Sequence, residues 1–234
     1  TAPRLVLVLS GDHIYKMDYD AMCRIHDEKK AALTVSVVRV PAEVARGAYG
    51  VLEVDADYRI VGFEEKPARP KTLPGTDDCL ASMGIYAFST DVLRASLEND
   101  FEDFGKHVIP ALVSSGQAVY AYDFTTLNTL SDFEYTSRDG YRAKHMVQRA
   151  SDSDYWRDVG TLDSLWSANL DLVATSPRFN LYGERWPIFN CPQHFPPAKF
   201  VHEMPGRVGQ ALNSVVSDGV IVSGGTVRHS VVGP

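Results

Sequence analysis

Residues 5–12, with the sequence LVLVLSGD, decide the fold that this chain predicts. The short, continuous apolar run over residues 5–9 is typical of a strand that is buried on both faces of a parallel sheet. Gly11 allows a tight turn after the strand, so Asp12 can lie over the carboxyl edge of the sheet, where open α/β sheets bind ligands. The alternative is that Asp12 caps a helix or forms a turn, as single aspartates commonly do.

The segments that follow predict an α/β fold, namely a Rossmann-like mixed sheet with helices on its faces. Residues 19–30 indicate a helix with Asp18 as its N-cap. Strand-like runs at residues 49–54 and 59–65 flank a polar turn, which indicates a hairpin laid on the sheet. The other predicted elements are strands at residues 33–40, 81–88 and 119–124, and helices at residues 90–97 and 106–114, the last interrupted by Pro110.

A further helix and a connector are predicted after residue 160. Thr161 would cap a helix whose apolar side should pack on the sheet; that side is formed by Leu162, Leu165, Trp166 and Val173. The proline-rich and aromatic-rich residues 177–205 predict an extended connector.

The last residues carry a short repeat. Aliphatic side chains recur every six positions at Val215, Ile221 and Val227, which is the period of a left-handed parallel β-helix built from hexapeptides. An ordinary hairpin around Gly224-Gly225 fits the same short pattern, so the two alternatives stay open here.

Composition limits the function classes. The 234 residues are 44% hydrophobic and 23% charged, and they contain no apolar run of the roughly 18 residues that a membrane helix needs. The N-terminus lacks the pattern of a secretory signal, so we expect a cytoplasmic protein. A net charge of −7 argues against nucleic-acid and membrane partners, and it requires local cations if the substrate is a phosphate. The three cysteines indicate neither a disulfide framework nor a zinc site, and no histidine lies in a ligand spacing.

Two motifs carry a family resemblance. Residues 9–19, LSGDHIYKMDY, and residues 155–161, YWRDVGT, resemble the sugar-nucleotide pyrophosphorylases, most closely the bacterial glucose-1-phosphate adenylyltransferases. The resemblance implies that Asp12 and Asp158 hold a catalytic Mg²⁺, which suits a hard ion that takes carboxylate, water and phosphate oxygens. The alternative for Asp158 is a favourable charge before the helix that Thr161 caps.

The same resemblance assigns a sugar-phosphate site. It implies that Lys66, in FEEKP at residues 63–67, binds the phosphate of glucose 1-phosphate, and that Glu65 accepts hydrogen bonds from the sugar hydroxyls. It also implies that Ser82 contacts the sugar and that Gly50 leaves room for it. The alternatives are a surface salt bridge at Glu65 and Lys66, an unremarkable strand residue at Ser82, and a β-bulge at Gly50.

For the full-length protein, the resemblance implies synthesis of ADP-glucose and pyrophosphate from ATP and α-D-glucose 1-phosphate, for glycogen, by a homotetramer. The expected domains are a nucleotidyltransferase domain at residues 1–175, a connector at 176–212 and the start of the β-helix at 213–234. A non-catalytic regulatory subunit, or an enzyme for another nucleotide or sugar, is the alternative.

Some segments depart from the family pattern. Its Gly-rich, ATP-binding loop would precede Thr1, so we expect a chain cut at both ends that has no turnover alone. The segment at residues 104–110 is interpreted as structural, and Lys199 as a solvated lysine or one near a regulatory region. Residues 125–154 depart from the resemblance and predict a basic, exposed loop.

Overall fold

The computed structural model describes residues 3–138, 140–191 and 193–234, without the side chains of Ser137 and Arg138. The expectation about the chain before Thr1 lies outside these residues. The chain forms two compact units: one contains the residues up to Gly11 together with Met17–Thr129, and the other contains Asp12–Lys16 and Leu130–Pro234. No helix within the described residues is long and apolar enough to cross a membrane.

The elements are numbered along the chain. The helices are α1 (Tyr19–Glu28), α2 (Ala42–Ala45), α3 (Thr90–Leu97), α4 (Ile109–Ser114), α5 (Phe124–Leu127) and α6 (Leu162–Leu172), with a π-helical turn at Phe104–Val108. The first ten strands are β1 (Leu5–Val8), β2 (His13–Tyr15), β3 (Leu33–Pro41), β4 (Gly50–Val54), β5 (Ile60–Glu65), β6 (Asp78–Ser89), β7 (Val119–Asp123), β8 (Asp132–Arg138), β9 (Tyr141–Val147) and β10 (Trp156–Asp158). The remaining strands are β11 (Lys199–Val201), β12 (Glu203–Met204), β13 (Arg207–Val208), β14 (Gln210–Leu212), β15 (Val215–Val216), β16 (Ile221–Ser223), β17 (Thr226–Arg228) and β18 (Val231–Val232).

A six-stranded mixed sheet forms the first unit, and it confirms the predicted α/β class. The order is β5-β4-β6-β3-β7, with β1 also pairing with β6; β3 and β7 are parallel, and the other pairs are antiparallel. The strand that is buried on both faces is β3, whose residues from Leu33 to Val38 are all buried. The predicted position of β1 in a parallel sheet is wrong, because β1 is half-buried and runs antiparallel to β6.

Short-range sequence features, such as caps and turns, predicted that most of the other elements of this unit exist. Asp18 caps α1 by accepting hydrogen bonds from the N–H groups of Asp20 and Ala21. The predicted hairpin exists, but β4 and β5 extend the edge of the sheet beside β6 and do not lie on its face. Pro110 lies in the first turn of α4, where a missing N–H costs nothing, so it begins the helix and does not interrupt it.

The second unit contains a hairpin that the sequence did not predict. Residues 125–154 were expected to be an exposed loop, but β8 and β9 pair over seven residues in antiparallel register. The capping of α6 by Thr161 is confirmed, with Ser164 completing the capping box. Within this helix, Leu162 and Trp166 are 85% and 65% exposed, and Ala168 is the buried residue.

The C-terminal strands form the start of a β-helix. Gln210 pairs with Thr226 and Val215 pairs with Val231, both in parallel and both 16 residues apart. The strands on either side of Gly224-Gly225 pair with earlier strands and not with each other, so the hairpin alternative is wrong. This parallel coil confirms the predicted hexapeptide fold, which is typical of a left-handed β-helix.

Candidate functional site

A short ladder between β2 and β10 brings together the two predicted metal-binding carboxylates. His13 pairs with Asp158 across the ladder, and the N–H of Val159 donates to the carbonyl oxygen of Asp12 at 2.9 Å. One ligand atom each of Asp12, His13 and Asp158 lies within 4.8 Å of the other two. Two motifs about 145 positions apart in the sequence therefore meet at one end of a two-stranded ribbon.

Gly160 keeps the space between the two carboxylates open. A Cβ at this position would lie 3.1 Å from Oδ1 of Asp158 and 3.2 Å from Oδ2 of Asp12, which is a crowded contact. The N–H of Gly160 also donates to Oδ1 of Asp158 at 2.7 Å and so orients that side chain. The Asp12 side chain is 57% exposed. Two converging carboxylates that are open to water suit a divalent cation, which takes part of its coordination shell from water.

The helix-cap alternative for Asp12 does not hold. The next element after Asp12 is the strand β2, and α1 has Asp18 as its cap. The alternative for Asp158 keeps some support, because its bond to the N–H of Gly160 is a local turn just before α6.

His13 and Trp156 are two residues of this site that sequence reasoning missed. The His13 side chain is only 9% exposed, and its Nε2 lies 3.6 Å from Oδ1 of Asp12. The indole N–H of Trp156 donates to Nδ1 of His13 at 3.3 Å, and the two rings meet edge-on with their centroids 5.1 Å apart. Nothing in the spacing of the histidines indicated this, because the partner of His13 comes from a motif 143 residues later.

Tyr155, just before β10, and Arg157, within it, attach the ribbon to α6. The hydroxyl of Tyr155 and the Nε of Arg157 both donate to Oδ2 of Asp171, at 2.8 Å and 3.0 Å. Burial, together with the hydrogen bond to the Asp171 carboxylate, raises the pKa of Tyr155 to about 12. Because successive side chains of a strand point to opposite faces, this motif holds α6 on one face and presents Trp156 and Asp158 on the other.

Lys16 is the last residue of the short segment Asp12–Lys16. Its Nζ lies 2.9 Å from Oδ2 of Asp152 and donates to the carbonyl oxygen of Asn180 at 2.7 Å, and both charged side chains are buried. The ammonium also lies over the ring of Phe179. The end of β2 is therefore bonded to the segment before β10 and to the start of the connector.

In the first unit, Gly50 and Glu65 are neighbours across the β4–β5 pair. A Cβ on Gly50 would lie 2.5 Å from Cζ of Phe63 and 2.8 Å from Oε2 of Glu65, and a Cβ on Gly105 would lie 2.6 Å from the same oxygen. The β-bulge alternative for Gly50 is wrong, because the irregularity of this pair falls between Glu53 and Val54. Sequence reasoning treated Gly105 as structural and missed its contact with Glu65.

The carboxylate of Glu65 lies among polar groups. Burial, and then the negative charge of Asp103, raise its pKa, while Lys66 and Lys106 act in the opposite direction. The pKa of the Tyr86 hydroxyl is also raised, chiefly by burial. A hydrogen bond with Ser82 lowers this pKa, and the negative charge of Glu65 raises it. The hydroxyl of Tyr86 is thus bonded to one predicted sugar-binding residue, Ser82, and lies within the electrostatic influence of another, Glu65.

Two residues close in the sequence to members of this polar cluster have a positive φ. Lys66 is exposed and has a φ of 51°, in the left-handed region that few non-glycine residues adopt. Its N–H donates to the carbonyl oxygen of Tyr49 at 3.2 Å, which fixes the turn at the end of β5. Gly84, two residues after Ser82, has a φ of 66° where the register of β3 and β6 shifts. Glycine is suited to that conformation because it has no Cβ.

Comparisons with known proteins agree with these observations. Residues 1–175 match the family model described as nucleotidyl transferase, and residues 196–234 match the model described as GlmU-like, C-terminal hexapeptide. The chain is 47% identical over 98% of its length to a glucose-1-phosphate adenylyltransferase of Alteromonas mediterranea, covering 49% of that protein. It is 45% and 46% identical, again over 98% of its length, to enzymes of that name from Shewanella sp. and Pseudoalteromonas atlantica, covering 51% of each. The chain spans about half the length of the curated relatives it matches.

Proposed function

Because the chain belongs to the nucleotidyl transferase family, we propose that the full-length protein transfers the adenylyl group of ATP to α-D-glucose 1-phosphate, which forms ADP-glucose and pyrophosphate for glycogen synthesis. The observation that carries this proposal is the convergence of Asp12 and Asp158 across the β2–β10 ribbon. The names of the relatives supply the choice of nucleotide and sugar.

Asp12 and Asp158 would hold the divalent cation, which we propose to be Mg²⁺. Their oxygens converge on an open space, and Mg²⁺ prefers one or two carboxylates with water and phosphate oxygens in the rest of its shell. When bound, this ion supplies charge neutralisation at the transferring phosphoryl group and helps to align the reacting oxygens.

The residues of the first unit would hold the sugar phosphate. Lys66 would bind the phosphate of glucose 1-phosphate, because its exposed ammonium follows β5 at a fixed turn. Glu65 would accept hydrogen bonds from the glucose hydroxyls, Ser82 would contact the sugar, and Gly50 would let the sugar approach the backbone. A phosphate oxygen of the sugar would then attack the α-phosphorus of ATP as pyrophosphate leaves. Positioning and charge stabilisation account for such a reaction without a covalent intermediate.

The quaternary structure and the location remain part of the proposal. We expect a homotetramer and a cytoplasmic protein, both by resemblance to the family. Light scattering on the full-length protein tests the first expectation, and a mass of one or two chains would contradict it.

The test is pyrophosphate-dependent formation of ATP from ADP-glucose by the full-length protein. We expect activity in the unmutated protein, and a loss of at least about 100-fold in a variant with Asp12→Asn and Asp158→Asn, because removal of charge-stabilising groups costs about that much. Asp163→Asn, at an exposed acidic residue in the first turn of α6, is the matched control and should keep its activity.

The other possible results identify which part of the proposed function is wrong. Full activity in the double variant would contradict the assignment of the metal ligands. An inactive unmutated protein would favour a regulatory subunit, and a preference for another nucleoside triphosphate or sugar phosphate would replace the substrates but keep the reaction class.

A further inference from the structure

The side chains of Trp156, His13 and Asp12 contact one another in succession, and the last of them belongs to the proposed metal site. The indole N–H of Trp156 donates to Nδ1 of His13 at 3.3 Å, and Nε2 of the same ring lies 3.6 Å from Oδ1 of Asp12. The imidazole is almost fully covered, whereas the carboxylate is 57% exposed. A nearly buried ring thus contacts a carboxylate that is mostly exposed.

The contact with Trp156 determines which nitrogen of His13 carries the proton. An indole N–H can only donate, so Nδ1 of His13 must be the acceptor and cannot carry a proton. The proton of the neutral ring is then on Nε2, the nitrogen that faces Asp12. The ring is set up to donate a hydrogen bond to the carboxylate.

This tautomer argues against His13 as a third ligand of the ion. A protonated Nε2 has no lone pair to offer, and the lone pair of Nδ1 is directed to Trp156. Mg²⁺ also prefers oxygen ligands to imidazole. A ring nitrogen of His13 lies within 4.8 Å of an oxygen of each carboxylate, but its proton makes His13 a residue that supports a metal ligand and not a ligand itself.

The two oxygens of Asp12 face different neighbours. Oδ1 is the atom near His13, and Oδ2 is the atom near Gly160, where Oδ1 of Asp158 also lies. A hydrogen bond from His13 to Oδ1 would hold the exposed carboxylate with Oδ2 turned towards Asp158. A movement of about 0.6 Å by this side chain would bring the contact to the usual hydrogen-bond length of about 3.0 Å.

We propose that His13, with its proton fixed on Nε2 by Trp156, is a positioning residue that holds the Asp12 carboxylate in its metal-binding orientation. The inference rests on the proposed function, in which Asp12 and Asp158 hold the cation. It adds two supporting residues to that site. Trp156 orients His13, and His13 orients Asp12. Only the two aspartates bind the ion.

The test measures metal affinity directly, with Mn²⁺ as the probe and the full-length protein. Free Mn²⁺ is followed by electron paramagnetic resonance in a titration. His13→Phe keeps the bulk of the ring but removes the N–H, and we expect it to weaken Mn²⁺ binding by about 10- to 100-fold, as loss of an outer partner of a metal ligand does. His13→Gln places an amide N–H close to the position of Nε2, and we expect it to restore the affinity to within about threefold of the unmutated value.

Two further measurements separate positioning from general damage. At saturating Mg²⁺, His13→Phe should lose much less in kcat and in the KM for glucose 1-phosphate than in metal affinity, while the Mg²⁺ concentration for half-maximal activity rises by the same factor as the Mn²⁺ dissociation constant. Trp156→Phe should weaken Mn²⁺ binding less than His13→Phe, and the two changes together should do no more than His13→Phe alone, because Trp156 acts through His13. His145→Phe, at an exposed histidine of β9, is the matched control and should leave the affinity unchanged.

Several results would overturn the proposal. They are an unchanged Mn²⁺ affinity in His13→Phe, a His13→Gln variant as weak as His13→Phe, and a directly bonded ¹⁴N coupling in the spectrum of bound Mn²⁺, which would make His13 a ligand. A full-length protein that binds no Mn²⁺ would refute both this inference and the metal site. A protein that binds Mn²⁺ in the expected order but forms no ADP-glucose would refute the proposed function alone.

Discussion

Replacement of Lys16 by methionine should destabilise the second unit, because it leaves a buried carboxylate without its cation. The side chains of Lys16 and Asp152 are 7% and 3% exposed, and Nζ lies 2.9 Å from Oδ2. Methionine fills a similar volume but has no charge and no N–H. The Asp152 carboxylate would then be left without its cation in a site from which water is almost excluded.

The size of the effect follows from this geometry. Removal of one partner from a buried ion pair costs about 3–5 kcal/mol. Oδ2 of Asp152 also accepts the N–H of Asn180 at 3.2 Å and would keep that bond, so we expect the lower end, about 3 kcal/mol of unfolding free energy. Asp152→Asn in the Lys16→Met background removes the orphaned charge, and it should recover at least half of the loss.

The chain offers a selective assay for this unit. All three tryptophans, Trp156, Trp166 and Trp186, belong to the second unit, so tryptophan fluorescence during urea denaturation reports its unfolding. Lys199→Met, at an exposed lysine of the same unit, is the matched control and should change the free energy by less than about 0.5 kcal/mol. A loss below about 1 kcal/mol in Lys16→Met, or a double variant no more stable than the single one, would refute the argument.

Three further predictions concern the polar cluster and the ribbon. Gly105→Ala should lower kcat/KM for glucose 1-phosphate by about 100-fold with little change in stability, because its Cβ would displace the flexible end of Glu65; steady-state kinetics and thermal melting check this. Burial and Asp103 raise the pKa of Glu65 above its ordinary value of 4.5. We therefore expect kcat/KM for glucose 1-phosphate to fall as the pH is lowered towards that range. Glu65→Gln should have a low kcat/KM that lacks this pH dependence. Tyr155 has a folded-state pKa raised from 10.0 to about 12, so its contribution to stability is complete below pH 10 and is lost between pH 10 and 12; Tyr155→Phe should flatten that part of the pH–stability curve in urea denaturation.

The sequence predicted best the elements that short-range chemistry determines. The N-cap at Asp18 and the helix α3, at the predicted residues 90–97, depend on caps and on helical periodicity, which neighbouring residues define. The pairing of β4 with β5 followed from a polar turn between two β-prone runs. The repeat of six residues placed the β-helix correctly even though few steps of it are present.

The errors concern packing partners, which a single sequence does not specify. An apolar run such as β1 shows that a strand is hydrophobic but not which strand lies beside it, and the strand that is buried on both faces is β3. The contact of α6 with the residues of β10 is made by the polar Asp171, which the apolar periodicity of the helix does not predict. The β8–β9 hairpin lacked a recognisable pattern because its exposed face mixes charged and aromatic residues.

The candidate site was predicted only as far as the family motifs reached. Asp12 and Asp158 were named from their motifs, and the β2–β10 ladder supplies the physical reason for their proximity. His13 and Gly105 were missed for a common reason. The contact that gives each of them a role, with Trp156 and with Glu65 respectively, joins residues that are distant in the sequence. Only the paired strands reveal such contacts.

The motif at residues 155–161 makes two different sets of contacts on the two faces of one strand. Tyr155 and Arg157 bond to Asp171 and hold α6, whereas Trp156 and Asp158 face His13 and Asp12. The alternation of side chains on a strand makes this division possible within four consecutive residues. Changes on the α6 face should therefore appear first in unfolding free energy, and changes on the opposite face first in metal affinity. The hydrogen bonds to Asp171 hold one face of the strand, and Asp158 lies beside Asp12 at the other, where a bound cation would offset the repulsion between the two like charges.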